Sequence, residues 1–334
     1  MTISTLRAST KTLTSEKLSK TAHFHNSLLS ATRTRRNTYG HINCMAVNKS
    51  HVDIYNMGAH TLSISRKQLH GEIRSKVVAA MHKAIPDPTK RGVALLQGGA
   101  TFQLYSSDGE MLFKQDSYFF YLFGVSEDSW YGALNMQTGK STLFMPRLPD
   151  SYAVWMGPLK SPEYYLGRYG VDEVLYVDEM SKWLETAVGK HQGLPIHVLS
   201  GTNTDSGMEF VSPKLPVEAT EAATLEMEKD TLFNAITESR VRKTPEEIAI
   251  IRYANQVGSK AHVELMRTCK PGDMEYHLES RFLSYCYSTG GSRSPMYGPI
   301  SASGPNGAIL HYGHAGAPND RQMQEGDMVL VDMG

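Results

Sequence analysis

The clearest candidate for a chemical role is Asp332, which ends a short apolar run in a sequence of 334 residues. A Gly-Asp turn at Gly326-Asp327 leads into this run, and its alternation predicts a strand. Such a strand would have two faces, with Met328, Leu330 and Asp332 on one and Val329 and Val331 on the other. Desolvating a carboxylate at the end of a buried run is costly unless a metal ion or another cation pairs with it. Asp332 is therefore a candidate metal ligand, and the alternative is that it caps the following turn.

Other polar side chains lie on predicted loops and strand ends over the same part of the sequence. They are Tyr297, His311, His314, Asp320 and Asp327. His311 and His314 are three residues apart, which places them on opposite faces of an extended segment. The two histidines therefore do not form a two-residue metal clip, and spacing alone leaves their roles open.

Several familiar catalytic motifs do not occur in the sequence. It has no HExxH zinc motif, no GxSxG elbow, no GxxxxGK[ST] phosphate loop, and no GxGxxG between a strand and a helix. Cys44, Cys269 and Cys286 are widely spaced and form no CxxC, so we predict reduced thiols in a cytosolic-type compartment.

The elements that must position these residues fall into two halves. From about residue 51 to 212 the pattern alternates between helices and strands, which predicts an α/β domain. The predicted helix is Leu69 to Ala84, and the predicted strands are Val93 to Gln97, Tyr131 to Met136, Ser141 to Met145, Val174 to Asp178 and Ile196 to Ser200. Trp155, between Pro149 and Gly157-Pro158, is predicted to lie on a loop. Its sequence context favours partial burial against its own domain, and the alternative is a lid or contact residue.

The second half is predicted to begin with helices. Ala219 to Glu238 has a helical pattern, and Thr244-Pro245-Glu246-Glu247 is a helix start with a capping box. A further helix is predicted to begin at an N-cap Asp273 and to end at Gly290-Gly291. From Ser292 onward, short strands alternate with loops.

Composition limits the classes of function. Charged residues make up 20% and hydrophobic residues 40% of the chain, as in a globular protein, and no apolar run has the length of a membrane span. Residues 1–50 hold eight Lys/Arg and one acid, which leaves 26 basic and 33 acidic residues in the remainder. That acidic remainder argues against nucleic acid as a partner. Residues 1–54 are predicted to be a disordered extension or an organelle-targeting segment, so the expected location is cytoplasmic or, alternatively, an organelle.

The C-terminal region resembles the prolidase branch (Xaa-Pro dipeptidases) of the pita-bread metallopeptidases, which also include aminopeptidase P, creatinase and methionine aminopeptidase. The most specific segments are HYGHAGAPNDR at residues 311–321 and GDMVLVDMG at residues 326–334. Further matching segments, in chain order, are LLQGG at 95–99, TGKSTLF at 138–144, PRLP at 146–149, WMG at 155–157, NTDSG at 203–207 and YCYS at 285–288. The resemblance therefore covers nearly all of the sequence after about residue 55.

The resemblance implies a mixed α/β and α+β architecture. A creatinase-like N-terminal domain at 55–212 would precede the first part of a pita-bread catalytic domain at 213–334. In that family two metal ions, usually manganese, are held by two Asp, one His and two Glu, and Asp332 matches the first Asp. His311 matches an active-site His that contacts substrate, Tyr297 matches an active-site Tyr, and Trp155 matches a loop that reaches the neighbouring subunit's site in a homodimer. The implied substrate is a small Xaa-Pro dipeptide, with neither nucleic acid nor membrane as partner.

The other ligands of the family lie beyond the position that matches Gly334. We therefore expect this polypeptide to be incomplete within the catalytic domain, to lack peptidase activity by itself and to bind no stoichiometric manganese. We also expect residues 213–334 to fold poorly alone, with the last strand exposing an apolar edge, and residues 55–212 to be independently stable. Two alternatives remain open: a non-catalytic form that acts only in dimerisation, and an aminopeptidase P-like enzyme.

Overall fold

The computed structural model describes Tyr55 and residues 62–189, 193–216, 225–313 and 319–334. All of these belong to one compact unit, Ser50–Gly334. The predictions made for residues 1–54, for His314 and for Cys44 lie outside the described residues. In the part that is described, no helix is both long enough and apolar enough to cross a bilayer.

In the first half of the chain helices and strands alternate. In the second half the long helices come before the last two strands. The helices are α1 (Arg66–Ala84), α2 (Ser117–Phe123), α3 (Ala153–Met156), α4 (Pro162–Tyr169), α5 (Met180–Val188), α6 (Thr231–Val241), α7 (Pro245–Thr268) and α8 (Glu275–Gly290). The strands are β1 (Val93–Gln97), β2 (Tyr131–Asn135), β3 (Ser141–Met145), β4 (Glu173–Tyr176), β5 (Ile196–Thr202), β6 (Glu209–Ser212), β7 (Met227–Glu228), β8 (Ile300–Ser303) and β9 (Val329–Asp332). The mixed architecture expected from the sequence is confirmed.

Seven of the described strands form one mixed sheet. Its order is β4-β3-β2-β1-β5-β6, with β7 paired to β5. The hairpin β2–β3 and its neighbour β1 are antiparallel, whereas β4 and β5 add in parallel to β3 and β1. Both faces of the sheet are covered by apolar clusters, one against α1 and α6 and the other against α5. This explains why β1 has no polar face, since Val93 to Leu96 are all buried.

In the second half α7 packs against α8, and the two-stranded sheet β8–β9 packs against these helices. Val257, Ala261 and Leu265 of α7 meet Leu278 and Phe282 of α8. The buried residues of each helix recur at intervals of three or four, the expected stripe of an amphipathic helix. The last strand, β9, pairs antiparallel with β8.

Two predicted helix boundaries are wrong, and both errors have a long-range cause. The run Ala219 to Glu238 is not one helix, because Met227–Glu228 pairs with β5 and the helix begins only at Thr231. Asp273 does not cap α8, which begins at Glu275 after Met274. The carboxylate of Asp273 instead accepts hydrogen bonds from Arg281, from Nη1 at 2.7 Å and from Nη2 at 3.0 Å. A bidentate pair with arginine competes with capping for the same oxygens.

The predicted capping box of α7 is confirmed and supports a first testable prediction. Thr244 Oγ1 accepts from Glu247 N at 3.2 Å, and Glu247 Oε2 accepts from Thr244 N at 2.7 Å. We expect Thr244→Ala to lower the free energy of unfolding by about 1 kcal/mol, because it removes one acceptor from the helix start. Urea unfolding measures this loss. Thr244→Ser keeps the acceptor and should retain most of the stability, so an equal loss in both variants would contradict the capping role.

Candidate active site

The two-stranded sheet β8–β9 brings Tyr297 and Asp332 together. Asp332 pairs with Ile300 across the ladder, and Tyr297 lies three residues before Ile300. The chain before β8 also follows the end of β9, because Met296 N donates to Gly334 O at 2.9 Å. In this arrangement the Tyr297 hydroxyl donates a short hydrogen bond to Asp332 Oδ1. Two of the residues singled out in the sequence therefore contact each other directly.

The alternation predicted for β9 is correct, but its burial is not. Val329 and Val331 pack against the apolar cluster of α7 and α8, and Met328, Leu330 and Asp332 are exposed. The expectation that Asp332 ends a buried run is therefore wrong, because only one face of this strand is covered. Asp332 does not bear the cost of complete desolvation that the sequence pattern suggested. Its carboxylate is open to ligands while it accepts a hydrogen bond from Tyr297.

Asp332 also affects the acidity of its partner. The hydrogen bond from Tyr297 to the Asp332 carboxylate, together with burial and the negative charge of Asp332, raises the pKa of Tyr297 above its usual value. Ionising the phenol would remove the donated proton and place two negative charges side by side. Tyr297 is therefore a neutral hydrogen-bond donor at neutral pH.

His311 lies in a turn on a separate segment, and its side chain is exposed. Its neighbour Tyr312 is buried, and Tyr312 N donates to Ile309 O at 3.2 Å. Gly313 follows with a φ of 90°, and a Cβ there would come within 2.8 Å of Pro299 O. The turn that carries His311 is thus packed closely against the chain that leads into β8.

Trp155 lies on the single turn of helix α3, and not on an irregular loop. Its side chain is 83% exposed, so the prediction that it is partly buried against its own domain is wrong. Val154 and Met156 beside it are also exposed. None of the four residues of this turn is buried, so the turn lies at the surface of the sheet domain.

One carboxylate near these residues was missed in the sequence. Glu275, the first residue of α8, is fully buried. A signal for it exists, because Glu275 stands three residues before Leu278 and seven before Phe282, on the stripe that faces the core. An acidic residue on such a stripe requires hydrogen-bond donors, because a buried charge without them is costly. Each hydrogen bond to a charged group contributes about 1.5–3 kcal/mol to stability.

The partners of Glu275 form a polar cluster that we call the Glu275 cluster. Its members are Glu275, Ser303, Asn306, Tyr312 and Arg321. Arg321 in turn donates to Ser303 Oγ at 2.7 Å and pairs with Asp327 at 2.5 Å. Asp327, noted in the sequence as a polar residue before β9, is therefore a structural ion-pair partner.

The described residues do not by themselves supply a metal centre. Within them, no three side chains of His, Cys, Asp or Glu converge in a way that could hold a metal ion. Asp332 is a single exposed carboxylate whose partner Tyr297 is neutral, so one candidate ligand is present where a two-metal site needs several. Cys269 and Cys286, the two cysteines among the described residues, are free thiols, as predicted. Burial raises the pKa of both.

Two family models match successive parts of the chain. Residues 70–197 match the aminopeptidase P N-terminal domain, and residues 249–334 match metallopeptidase family M24. The chain therefore belongs to the M24 metallopeptidases and carries the N-terminal domain found in aminopeptidase P.

The curated relatives include mammalian dipeptidases. The chain is 45% identical over 240 residues to the Xaa-Pro dipeptidase of Mus musculus, a match that covers 72% of this chain and 47% of that protein. It is 46% identical over 242 residues to the Xaa-Pro dipeptidase of Homo sapiens, covering 72% of this chain and 48% of that protein. The chain thus spans about half the length of these relatives.

A solved structure supports the same fold. The aminopeptidase P of E. coli superposes with a TM-score of 0.65 at 27% sequence identity. The match covers 82% of this chain and 60% of that one. The sheet domain and the following helices therefore have the arrangement of an M24 peptidase.

Proposed function

We propose that this chain supplies the N-terminal domain and part of the active site of a prolidase-type metallopeptidase, which hydrolyses dipeptides with a C-terminal proline. The observation that carries the proposal is the hydrogen bond between Tyr297 and Asp332, which joins two residues of the prolidase resemblance at one exposed position. Identity of 45–46% to two Xaa-Pro dipeptidases supports the substrate class. We further propose that the domains are 55–212 and 213–334.

The proposed substrate explains the residue types. The bond before proline is a tertiary amide, so it offers no N–H for an enzyme to bind. Recognition must then rely on the carbonyl oxygen and on the two ends of the dipeptide. His311 is proposed to stabilise charge that develops on the carbonyl oxygen. Tyr297 is proposed to orient Asp332 in the same pocket through the hydrogen bond that it donates to this carboxylate. The exposed positions of both side chains agree with contact to a small ligand.

We propose manganese as the metal and Asp332 as one of its ligands. Manganese suits oxygen ligands, and a bound pair of such ions would supply Lewis-acid chemistry for amide hydrolysis. Because Asp332 is the single candidate ligand in the described part of the chain, this polypeptide alone is proposed to bind no stoichiometric manganese and to have no peptidase activity. The exposed turn with Trp155 is proposed to contact the neighbouring subunit of a homodimer.

Two measurements on one pair of proteins test the function. The first protein is the 334-residue chain, for which we expect no manganese-dependent hydrolysis of Gly-Pro and less than one equivalent of manganese after dialysis. The second is the same chain fused to the C-terminal half of the mouse Xaa-Pro dipeptidase, for which we expect manganese-dependent hydrolysis of Gly-Pro. Asp332→Asn in the fusion should reduce the rate at least about a hundred-fold, because even outer-sphere changes at metal sites cost 10–100-fold.

The control variant is Asp108→Asn, a carboxylate on an exposed turn of the sheet domain, which should leave the rate unchanged. The tripeptide Gly-Pro-Ala separates the two peptidase classes. Preference of the fusion for the tripeptide would favour the aminopeptidase P alternative. A folded, manganese-loaded fusion that cleaves neither substrate would contradict the proposal, and manganese-dependent activity of the 334-residue chain would contradict the claim about that chain alone.

A further inference from the structure

The Glu275 cluster connects the three segments on which the candidate catalytic residues lie. Glu275 begins α8 and contacts Ser303 at the end of β8, the strand that Tyr297 precedes. It also contacts Tyr312, the neighbour of His311. Through Arg321 it reaches Asp327, which leads into β9 and Asp332. One buried carboxylate therefore joins all three segments.

Both oxygens of Glu275 are saturated by donors. Oε1 accepts from Ser303 N at 2.6 Å, from Ser303 Oγ at 2.8 Å and from Asn306 Nδ2 at 3.1 Å. Oε2 accepts from Tyr312 OH at 2.6 Å and from Arg321 N at 3.1 Å. An amide could not replace this group without pointing its NH₂ at one set of donors.

The carboxylate is held in its charged form. Burial raises the pKa of Glu275, but the hydrogen bonds from Tyr312, Ser303 and Asn306 outweigh that effect and leave the pKa below its usual value. An ionised acceptor fixes its donors more strictly than a neutral one, because charge-assisted hydrogen bonds are shorter and stronger. The hydroxyl of Tyr312 is fixed from a second side as well, since it accepts from Asn306 Nδ2 at 2.8 Å.

Apolar side chains pack α8 against α7, and Leu278 and Phe282 are both buried there. The contacts of Glu275 instead lead away from the helices, toward β8, the His311 turn and the chain before β9. Its position therefore controls where these three segments lie relative to one another.

We propose that Glu275 is a positioning residue of the active site, which holds the His311 turn in register with the Tyr297–Asp332 pair. The inference rests on the proposed function, since it treats these three residues as one site. Glu275 contacts neither substrate nor metal in this role. It acts through Tyr312 on His311 and through Arg321 and Asp327 on β9.

The test measures the position of His311 and the stability of the chain separately. The 334-residue protein is labelled with ¹³C in its histidine rings, and the His311 signal is assigned by comparison with His311→Asn. In Glu275→Gln we expect the His311 signal to shift and broaden, together with a decrease in Tm of several degrees. Tyr312→Phe keeps the carboxylate and removes one hydroxyl, which donates to Glu275 and accepts from Asn306, so it should shift the same signal with a smaller decrease in Tm. This second variant keeps the test valid if Glu275→Gln does not fold.

Two controls separate positioning from general stability. Leu278→Ala destabilises the same helix through a cavity and should lower Tm without moving the His311 signal. Glu325→Gln changes an exposed carboxylate and should alter neither quantity. If Tyr312→Phe and every folded Glu275 variant leave the His311 signal unchanged, or if Leu278→Ala shifts it equally, Glu275 has only a structural role. The test requires neither manganese nor activity, so failure of the proposed function would be seen in the hydrolysis assay and not here.

Discussion

Between pH 7 and pH 4, the protein should lose about 3 kcal/mol of unfolding free energy through His70 alone. His70 lies on α1 and is 2% exposed. Its Nδ1 contacts Tyr121 O at 2.9 Å, and Nε2 accepts a short hydrogen bond from the Tyr55 hydroxyl. The site accommodates a neutral ring with one donor and one acceptor, and a proton on Nε2 would have to replace the proton that the Tyr55 hydroxyl donates there.

The environment of His70 determines the sign of this effect. Burial is the main cause that lowers the pKa of His70 from 6.5 to about 4. The hydrogen bond to Tyr121 O raises this pKa, and the charges of Arg74 and Arg66 lower it. Between these two values the unfolded chain binds a proton that the folded chain does not bind. The free energy of unfolding therefore falls as the pH decreases from 6.5 to 4, and each unit of pKa difference corresponds to about 1.4 kcal/mol.

Urea unfolding at several pH values between 4 and 7 measures this loss. Carboxylates also titrate near the lower end of the range, so the informative quantity is the difference between the protein and His70→Gln. Glutamine can donate to Tyr121 O and accept from Tyr55 without titrating. We expect the variant to lose about 3 kcal/mol less than the unmodified protein over this range. Parallel curves for the protein and His70→Gln would show that the folded chain accepts the proton at His70.

Features set by neighbouring residues were predictable from the sequence. The hairpin β2–β3, the buried strand β1 and the capping box of α7 each depend on a few consecutive residues, and all three are confirmed. The same holds for the alternation of β9, whose two faces follow from a period of two. Neighbouring residues are sufficient to determine features of this kind.

Features that depend on distant partners were not predictable. Met227–Glu228 has a helical pattern, but backbone pairing with β5 makes it a strand. Asp273 has the type and position of a helix cap, but Arg281 binds its carboxylate. The exposure of Asp332 depends on which face of β9 the helices cover, and a sequence period does not state that.

The candidate site shows the same division. The roles of Tyr297, His311 and Asp332 were predicted from a resemblance. The contact between Tyr297 and Asp332 depends on the pairing of β8 with β9, which the sequence did not predict. Glu275 was overlooked because its five donors come from three segments that lie 28 to 46 residues after it in the sequence. A carboxylate on an apolar helical stripe is the one local sign of such a cluster.

The largest loss of stability from a single added methyl group is expected at Gly92, immediately before β1. A Cβ at this position would lie 1.7 Å from Pro195 O and 2.8 Å from Pro195 C. The backbone there is held from two sides, since Val93 N donates to Pro195 O at 3.1 Å and Met136 N donates to Gly92 O at 3.0 Å. Neither strand can move away without breaking the sheet at β1, which lies between β2 and β5.

Gly92→Ala should therefore lower the free energy of unfolding by more than about 3 kcal/mol, because the clash is with backbone and no side-chain rotation relieves it. Soluble yield and urea unfolding measure the loss. Gly167→Ala is the matched control: a Cβ there meets nothing within 4 Å, and alanine in α4 should raise stability by up to about 1 kcal/mol. Comparable stability of both variants would mean that Pro195 does not lie against Gly92. The parallel register of β1 and β5, which pairs Val93 with Ile196, would then be wrong, because that register is what brings Pro195 to Gly92.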